Sequence, residues 1–430
     1  MTASIQSSPV RSSLMAGYRV LDLSDEKGML CGKMFADMGA EVIKIEQPGG
    51  DPARSLHPFY HDEIDPEKSL YWFAYNTGKK SVTLDLGTAE GKAVFRDLVK
   101  AADFVLETFP VGYLDELGLG YGALSQLNPR IILTSITPFG DTEPGRSQQA
   151  DDLIAWATGG AMAIMGEKDR GPVRMNLLQS YFHASAEAAV GSMTAHYPRE
   201  ISGEGQHVVV NMQACVVWTL MNEQAFPILH GNSVERNGVF AGSEGMRQRL
   251  VFPCKDGDIT LLVAGGPLTP SLKALIAWMG EKGMAPQWMV EKDWTQWGPA
   301  TFMNAKGDEV QKEIDDIETA ITAFLKTLTK AEIYAEALKR RILLAPVSTA
   351  ADIAASEQLA ARNYFVPIEH EDLQDTILYP GPFAKLSETP LAIPGRAPHI
   401  GEHNGEVYTA LRSNSKEKHA PLRDRRYAFE

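Results

Sequence analysis

The sequence predicts an α/β protein: a large Rossmann-like domain on a doubly wound parallel sheet, discontinuous in the chain, with a smaller α+β domain set into it. Three observations carry that expectation. Residues 18–54 read YRVLDLS, DEKGMLCGKMFADMG, AEVIKIE and QPGGDPAR. This is a β-rich run, about four helical turns, a second β-rich run and a Gly/Pro turn, which together make a βαβ unit. Helical and β-rich segments then alternate as far as Ile136. Finally, composition changes near Asn232, where a glycine- and charge-rich stretch precedes an antiparallel-looking pattern.

Taken in order, the spacing predicts a helix over 90–101, a strand over 103–107, a helix over 121–127 and a strand over 131–136. Alternation of this kind gives a parallel sheet with helices on both faces. A loop over 137–149 follows, then helices over 152–165 and 176–196. The second is rich in small residues (Ala184, Ala186, Ala188, Ala189, Gly191), which allow close packing. A strand over 207–211 leads into a helix from Met212 to about Leu229.

Beyond Asn232, residues 255–266 (KDGDITLLVAGG) read as antiparallel strand. Trp278, Trp288, Trp294 and Trp297 fall in an amphipathic helical region with an exposed loop over 297–308. Residues 342–347, 351–361 and 365–378 read as a return path to the large domain. The expected division is 15–229 for the first part of the large domain and 230–330 for the smaller one. Residues 331–415 are the return linker and closing part, and 1–14 and 416–430 are tails.

Composition narrows the function. With 41 Lys+Arg against 55 Asp+Glu, the formal net charge is −14, which disfavours a nucleic-acid or acidic-membrane partner. Cys31, Cys215 and Cys254 lie far apart without metal-ligand spacing, and read as buried thiols of a reducing cytoplasm. The apolar run Ala214–Met221 is too short to span a bilayer, and the Ser-rich first residues lack a signal-peptide core. The βαβ unit also lacks G-x-G-x-x-G: between Leu23 and Lys33 stand only Gly28 and Gly32, which disfavours a nicotinamide or flavin cofactor. His196, His207, His230 and His403 show no mutual spacing for a metal and read as structural.

Five ordered motifs carry a resemblance. Phe35–Glu46 (FADMGAEVIKIE) runs into Pro48–Arg54 (PGGDPAR). Asn76–Leu86 reads NTGKKSVTLDL. Leu117–Tyr121 (LGLGY) precedes Asn128–Ile132 (NPRII). Thr134–Arg146 reads TSITPFGDTEPGR, and Ala397–Asn404 reads APHIGEHN. In this series the chain resembles the family III CoA-transferases, the formyl-CoA/carnitine CoA-transferase group, over residues 17–407. The resemblance implies an interlocked dimer with sites near its interface, acyl-CoA and a free carboxylic acid as substrates, and neither a metal nor a redox cofactor.

It also implies a nucleophilic aspartate at a helix start. Asp152, in Ala150-Asp151-Asp152-Leu153-Ile154, fits that register, with Asp151 as its neighbour and competitor. A carboxylate suits the chemistry. Attack on an acyl-CoA gives a mixed anhydride, and returning thiolate gives an aspartyl-CoA thioester, so acyl activation is carried through both steps. Helix-start amides favour the negative charge that develops. Asp is equally a preferred helix N-cap, and the two roles are compatible.

For CoA phosphates the expected cations are Arg54, Lys79 and Lys80, in loops beside sheet strands. Residues 107–112 (ETFPVG) depart from the family's ENFRPG, and no contact is carried over there. Glu143 and Gly145 likewise bend the loop pattern. Gly242 and Gly245 fall where the family has a mobile glycine lid, with Glu244 between them facing an acceptor carboxylate. Asp25–Lys33 (DEKGMLCGK) replaces a commoner AGP loop and resembles the branch acting on aromatic-substituted succinates such as benzylsuccinate. The reading is therefore a cytoplasmic CoA-transferase, with succinyl-CoA favoured as donor, working as a homodimer or with a related subunit. Its rivals are a CoA-ester racemase of the same fold, which needs a His base, and a non-catalytic subunit. No His lies between His61 and Asp152.

Overall fold

A computed structural model describes residues 13–231, 233–243, 246–297 and 307–414. The chain falls into two compact units. The first comprises residues 1–159, 175–220 and 358–430, and the second 160–174 and 221–357.

The first unit is built on six parallel strands: β1 (Arg19–Asp22), β2 (Glu41–Glu46), β3 (Lys80–Thr83), β4 (Phe104–Glu107), β5 (Ile132–Thr137) and β6 (His207–Asn211). Their order is β3-β2-β1-β4-β5-β6, with Val20 opposite both Val42 and Phe104. Every residue of β4 and β5 is buried, as expected of parallel strands covered on both faces. The order reverses between β1 and β4, and in such sheets ligands bind outside the strands' carboxyl ends at that reversal.

Helices supply the cover: α1 (Met29–Asp37), α2 (Leu70–Asn76), α3 (Ala89–Val99), α4 (Tyr113–Glu116), α5 (Tyr121–Leu127) and α6 (Asp152–Thr158). The helix expected over 152–165 is interrupted, because Gly159 and Gly160 end α6 and Gly160 takes φ = +92°. A separate turn, α7 (Ala161–Ile164), belongs to the second unit. The long helix α8 (Gln179–Ser202) continues through Pro198 to a left-handed Gly203, past the expected end at His196. Its buried Ala184, Ala188, Ser192 and Ala195 bring it close to the sheet, where Ser192 Oγ lies 2.7 Å from Thr134 Oγ1. The helix expected from Met212 is two, α9 (Met212–Trp218) and α10 (Met221–His230).

The closing segment completes the first unit along the outer edge of β3. His403 N donates to Ser81 O, Ser81 N to His403 Nδ1 and Thr83 N to Asn404 Oδ1. Thus the APHIGEHN motif covers a sheet edge that would otherwise expose unpaired backbone groups.

The second unit has its own core, with Trp278, Trp294 and Trp297 buried beside Phe252, Ile317 and Phe324, while Trp288 is exposed. The antiparallel pattern is the hairpin Val251–Cys254 and Gly257–Leu261. Residues 344–346, expected on the return path, form the third strand of this sheet, and Ile333, Ala337 and Ile342 pack in the same core. Residues 365–370 and 375–380 form an antiparallel hairpin in the first unit. Gly242 lies in a short strand (Phe240–Ser243), whereas Glu244, Gly245 and residues 298–306 of the expected loop fall outside the described residues.

Candidate active site

At the β1/β4 reversal, residues 23–28 cross the carboxyl ends of the strands. Asp25 anchors the crossing. Its N–H donates to Thr108 Oγ1 at 2.9 Å, and that hydroxyl donates back to Asp25 Oδ1 at 2.7 Å. Lys27 pairs with Asp25, and Ser185 Oγ on α8 donates to Lys27 O at 3.1 Å. Glu26 is half-buried; desolvation, with Asp25 adding to it, raises its carboxyl above the ordinary range.

Aromatic groups stand round this crossing. Tyr71 lies 4.7 Å from Tyr75 between ring centroids, and Tyr75 stacks on Phe182 at 5.0 Å. The Tyr181 hydroxyl accepts from Asp152 N at 3.0 Å. Burial pushes the Tyr181 phenol up, and among charges Glu26 adds most to that effect.

Asp152 is the first residue of α6, and the N-cap is Asp151, whose carboxylate accepts from Ile154 N at 3.0 Å. Asp152 is 4 % exposed, and its Oδ1 accepts from both Ser180 N and Ser180 Oγ at 2.8 Å. This carboxylate ties α6 to the start of α8.

The three expected phosphate cations lie apart in three settings. Arg54 is 1 % exposed; it grips both oxygens of Glu46 at 2.7 and 2.9 Å, bonds Glu67 and Pro398 O, and stacks on Trp72 at 3.7 Å. Lys79 spends all three of its donors internally, on Asp22 Oδ2, Met29 O and Asn76 Oδ1. Burial pushes the Lys79 ammonium down. Asp22 is raised by burial but held lower on balance by Lys79 and Lys44. Lys80 is partly exposed and pairs with Glu41 and Glu406.

One further group stands out. Glu107 and residues 110–112, with Ser135, Thr137, Asp141, Arg146 and His207, line a cavity of about 240 Å³ beside β5 and β6. Glu107 in it is pushed up to about 7 by burial, against hydrogen bonds from Ser135 and Phe109 N. A strand-end glutamate gives no local signal of this, because it depends on what the sheet packs around it.

Comparison with known proteins supplies the rest. A family model described as CoA-transferase family III matches residues 15–404. The chain is 32% identical over 390 residues to subunit BbsE of the succinyl-CoA:(R)-benzylsuccinate CoA-transferase of Thauera aromatica, covering 91% of this chain and 92% of that one. It is 30% identical to succinyl-CoA–D-citramalate CoA-transferase of Chloroflexus aurantiacus, covering 95% and 96%. It is 31% identical to succinyl-CoA:mesaconate CoA-transferase of Haloarcula marismortui, covering 90% and 94%. The acids named for these relatives each carry two carboxyl groups. Among solved structures, a CAIB/BAIF family protein from Brucella suis superposes with a TM-score of 0.78 at 25% identity, covering 93% of this chain and all of that one. The protein is a member of CoA-transferase family III.

Proposed function

We propose that this chain moves CoA from succinyl-CoA to a free dicarboxylic acid, an aromatic-substituted succinate like the benzylsuccinate named for one relative. The observation that carries the reading is the near full-length likeness to succinyl-CoA-dependent transferases whose acceptors are dicarboxylic acids. A protein carboxylate attacks the succinyl thioester, giving a mixed anhydride and releasing CoA thiolate. The thiolate attacks the aspartyl carbonyl, freeing succinate and leaving an aspartyl-CoA thioester. The acceptor carboxylate then expels the thiolate, forming a second anhydride. Attack of CoA on the acceptor's carbonyl finally regenerates the aspartate.

We take Asp152 as the nucleophile, with Asp151 as its competitor. Ser180 N and Ser180 Oγ hold the buried Asp152 carboxylate at the start of α6, and its N–H donates to the Tyr181 hydroxyl. CoA, as acyl-CoA, is the only cofactor invoked. The reading places the protein in the cytoplasm as a dimer, of two copies or with a related subunit, as two relatives are named subunits.

The test is to incubate the purified chain with succinyl-CoA, trap with hydroxylamine or borohydride, and map the label by mass spectrometry. Label on Asp152 supports the assignment, and label on Asp151 corrects the register. No label with any acyl-CoA favours a non-catalytic subunit. Solvent deuterium at the α-carbon without CoA exchange identifies a racemase.

A further inference from the structure

Transfer to a dicarboxylic acid modifies one carboxylate and leaves the other ionised, so the acceptor subsite needs a cation beside it. The loop at the β1/β4 reversal supplies one. Lys27 stands there with its side chain 18 % exposed, paired among the described residues only with Asp25, which keeps the Thr108 hydroxyl and the Lys27 amide as other partners. By contrast, Lys44 and Lys79 are fully buried in ion pairs and Arg54 is almost so. Lys27 can therefore change partners without leaving Asp25 bare.

We propose that Lys27 binds the acceptor's non-reacting carboxylate, and that Tyr71, Tyr75 and Phe182 form the wall against which the acceptor's substituent lies. The three rings form a continuous, partly exposed aromatic surface. An aryl or other flat apolar substituent gains offset-stacked contact there. The Tyr71 hydroxyl reaches toward Glu26 O at 3.5 Å, which sets this wall beside the Lys27 loop. The charged groups of the loop are Asp25, Glu26 and Lys27. Asp25 is offset by Lys27, and burial, with Asp25 adding to it, raises the Glu26 carboxyl above its ordinary range, which lessens its repulsion of an acceptor.

This assignment rests on the CoA-transferase reading, and the experiment separates the two. With succinyl-CoA as donor, kcat/KM is measured for a phenyl-substituted succinate, methylsuccinate and 3-phenylpropanoate, for wild type, Lys27→Met, Lys27→Arg and Phe182→Ala. Lys27→Met is expected to lower the ratio of phenyl-substituted succinate to 3-phenylpropanoate at least tenfold, carried mainly in KM, with Lys27→Arg restoring most of it. Phe182→Ala is expected to lower the ratio of phenyl-substituted succinate to methylsuccinate several-fold. If wild type transfers CoA but Lys27→Met changes all three acids equally, the assignment of Lys27 is overturned. Unchanged ratios in Phe182→Ala overturn the wall. If wild type transfers to no acid, the functional reading itself has failed. Binding of the phenyl-substituted succinate by calorimetry gives a readout apart from turnover, and should weaken in Lys27→Met.

Discussion

Lys79 Nζ lies 2.8 Å from Asp22 Oδ2, and both side chains are wholly buried. Gly32 leaves them the room, since a Cβ there would stand 2.2 Å from the same oxygen. Removing the cation strands a buried carboxylate. Lys79→Met is therefore expected to cost about 3–5 kcal/mol, read as a lower urea midpoint, with the Asp22→Asn/Lys79→Met pair recovering much of it. Equal losses in the single and double variants would show that the pair does not act as a unit.

Arg54 distinguishes a structural cation from a phosphate ligand. Its planar fork holds both Glu46 oxygens and stacks on Trp72, geometry that an ammonium cannot copy. Arg54→Lys should lose about 2 kcal/mol of stability, with the CoA-ester KM of the folded enzyme little changed. An unchanged melting temperature with a raised KM would instead return Arg54 to the phosphate site expected from sequence.

Glu107 should make stability fall as pH rises. Its folded pKa of about 7 exceeds the ordinary 4.5, so the native state holds the proton more tightly than the unfolded chain. The protonated carboxyl is fully accommodated below pH 4.5, and stability is lost between there and about 7, levelling off above. The loss is on the order of 1–3 kcal/mol. Glu107→Gln carries no charge to bury, so its stability relative to wild type should rise between pH 5 and pH 8. A difference independent of pH would contradict the shift.

Asp151 and Asp152 should separate by phenotype. Asp151→Ala removes the α6 N-cap bond from Ile154 N and is expected to lose about 1 kcal/mol while retaining transfer. Asp152→Asn keeps an oxygen to accept from Ser180 and should abolish the covalent CoA adduct. An adduct that survives in Asp152→Asn and is lost in Asp151→Ala would move the nucleophile to Asp151.

Much of the parallel sheet could be read from the chain, because strands buried on both faces leave continuous apolar runs such as Phe104–Leu106 and Ile131–Leu133. Helix ends were harder to read. The break at Gly159–Gly160 and the continuation of α8 through Pro198 depend on tertiary packing that overrides local signals. The strand at 344–346 was read as linker since three residues carry no period, and its pairing with Gly257–Leu261 is long-range. At the site, motif register drew attention to Asp152, but the bonds that fix its carboxylate come from Ser180, far off in sequence, and could not be read from the motif. The same holds for Arg54 and Lys79, whose charge was legible and whose burial was not.

The seam between β3 and residues 401–404 has a consequence for biosynthesis. The ribosome delivers β3 more than three hundred residues before the groups of His403 and Asn404 that seal its flank. During that interval the nascent first unit carries an open strand, and the intervening second unit must emerge before the gap can close. Translation pace and chaperone access between those two moments should therefore govern how much of this enzyme reaches its finished form.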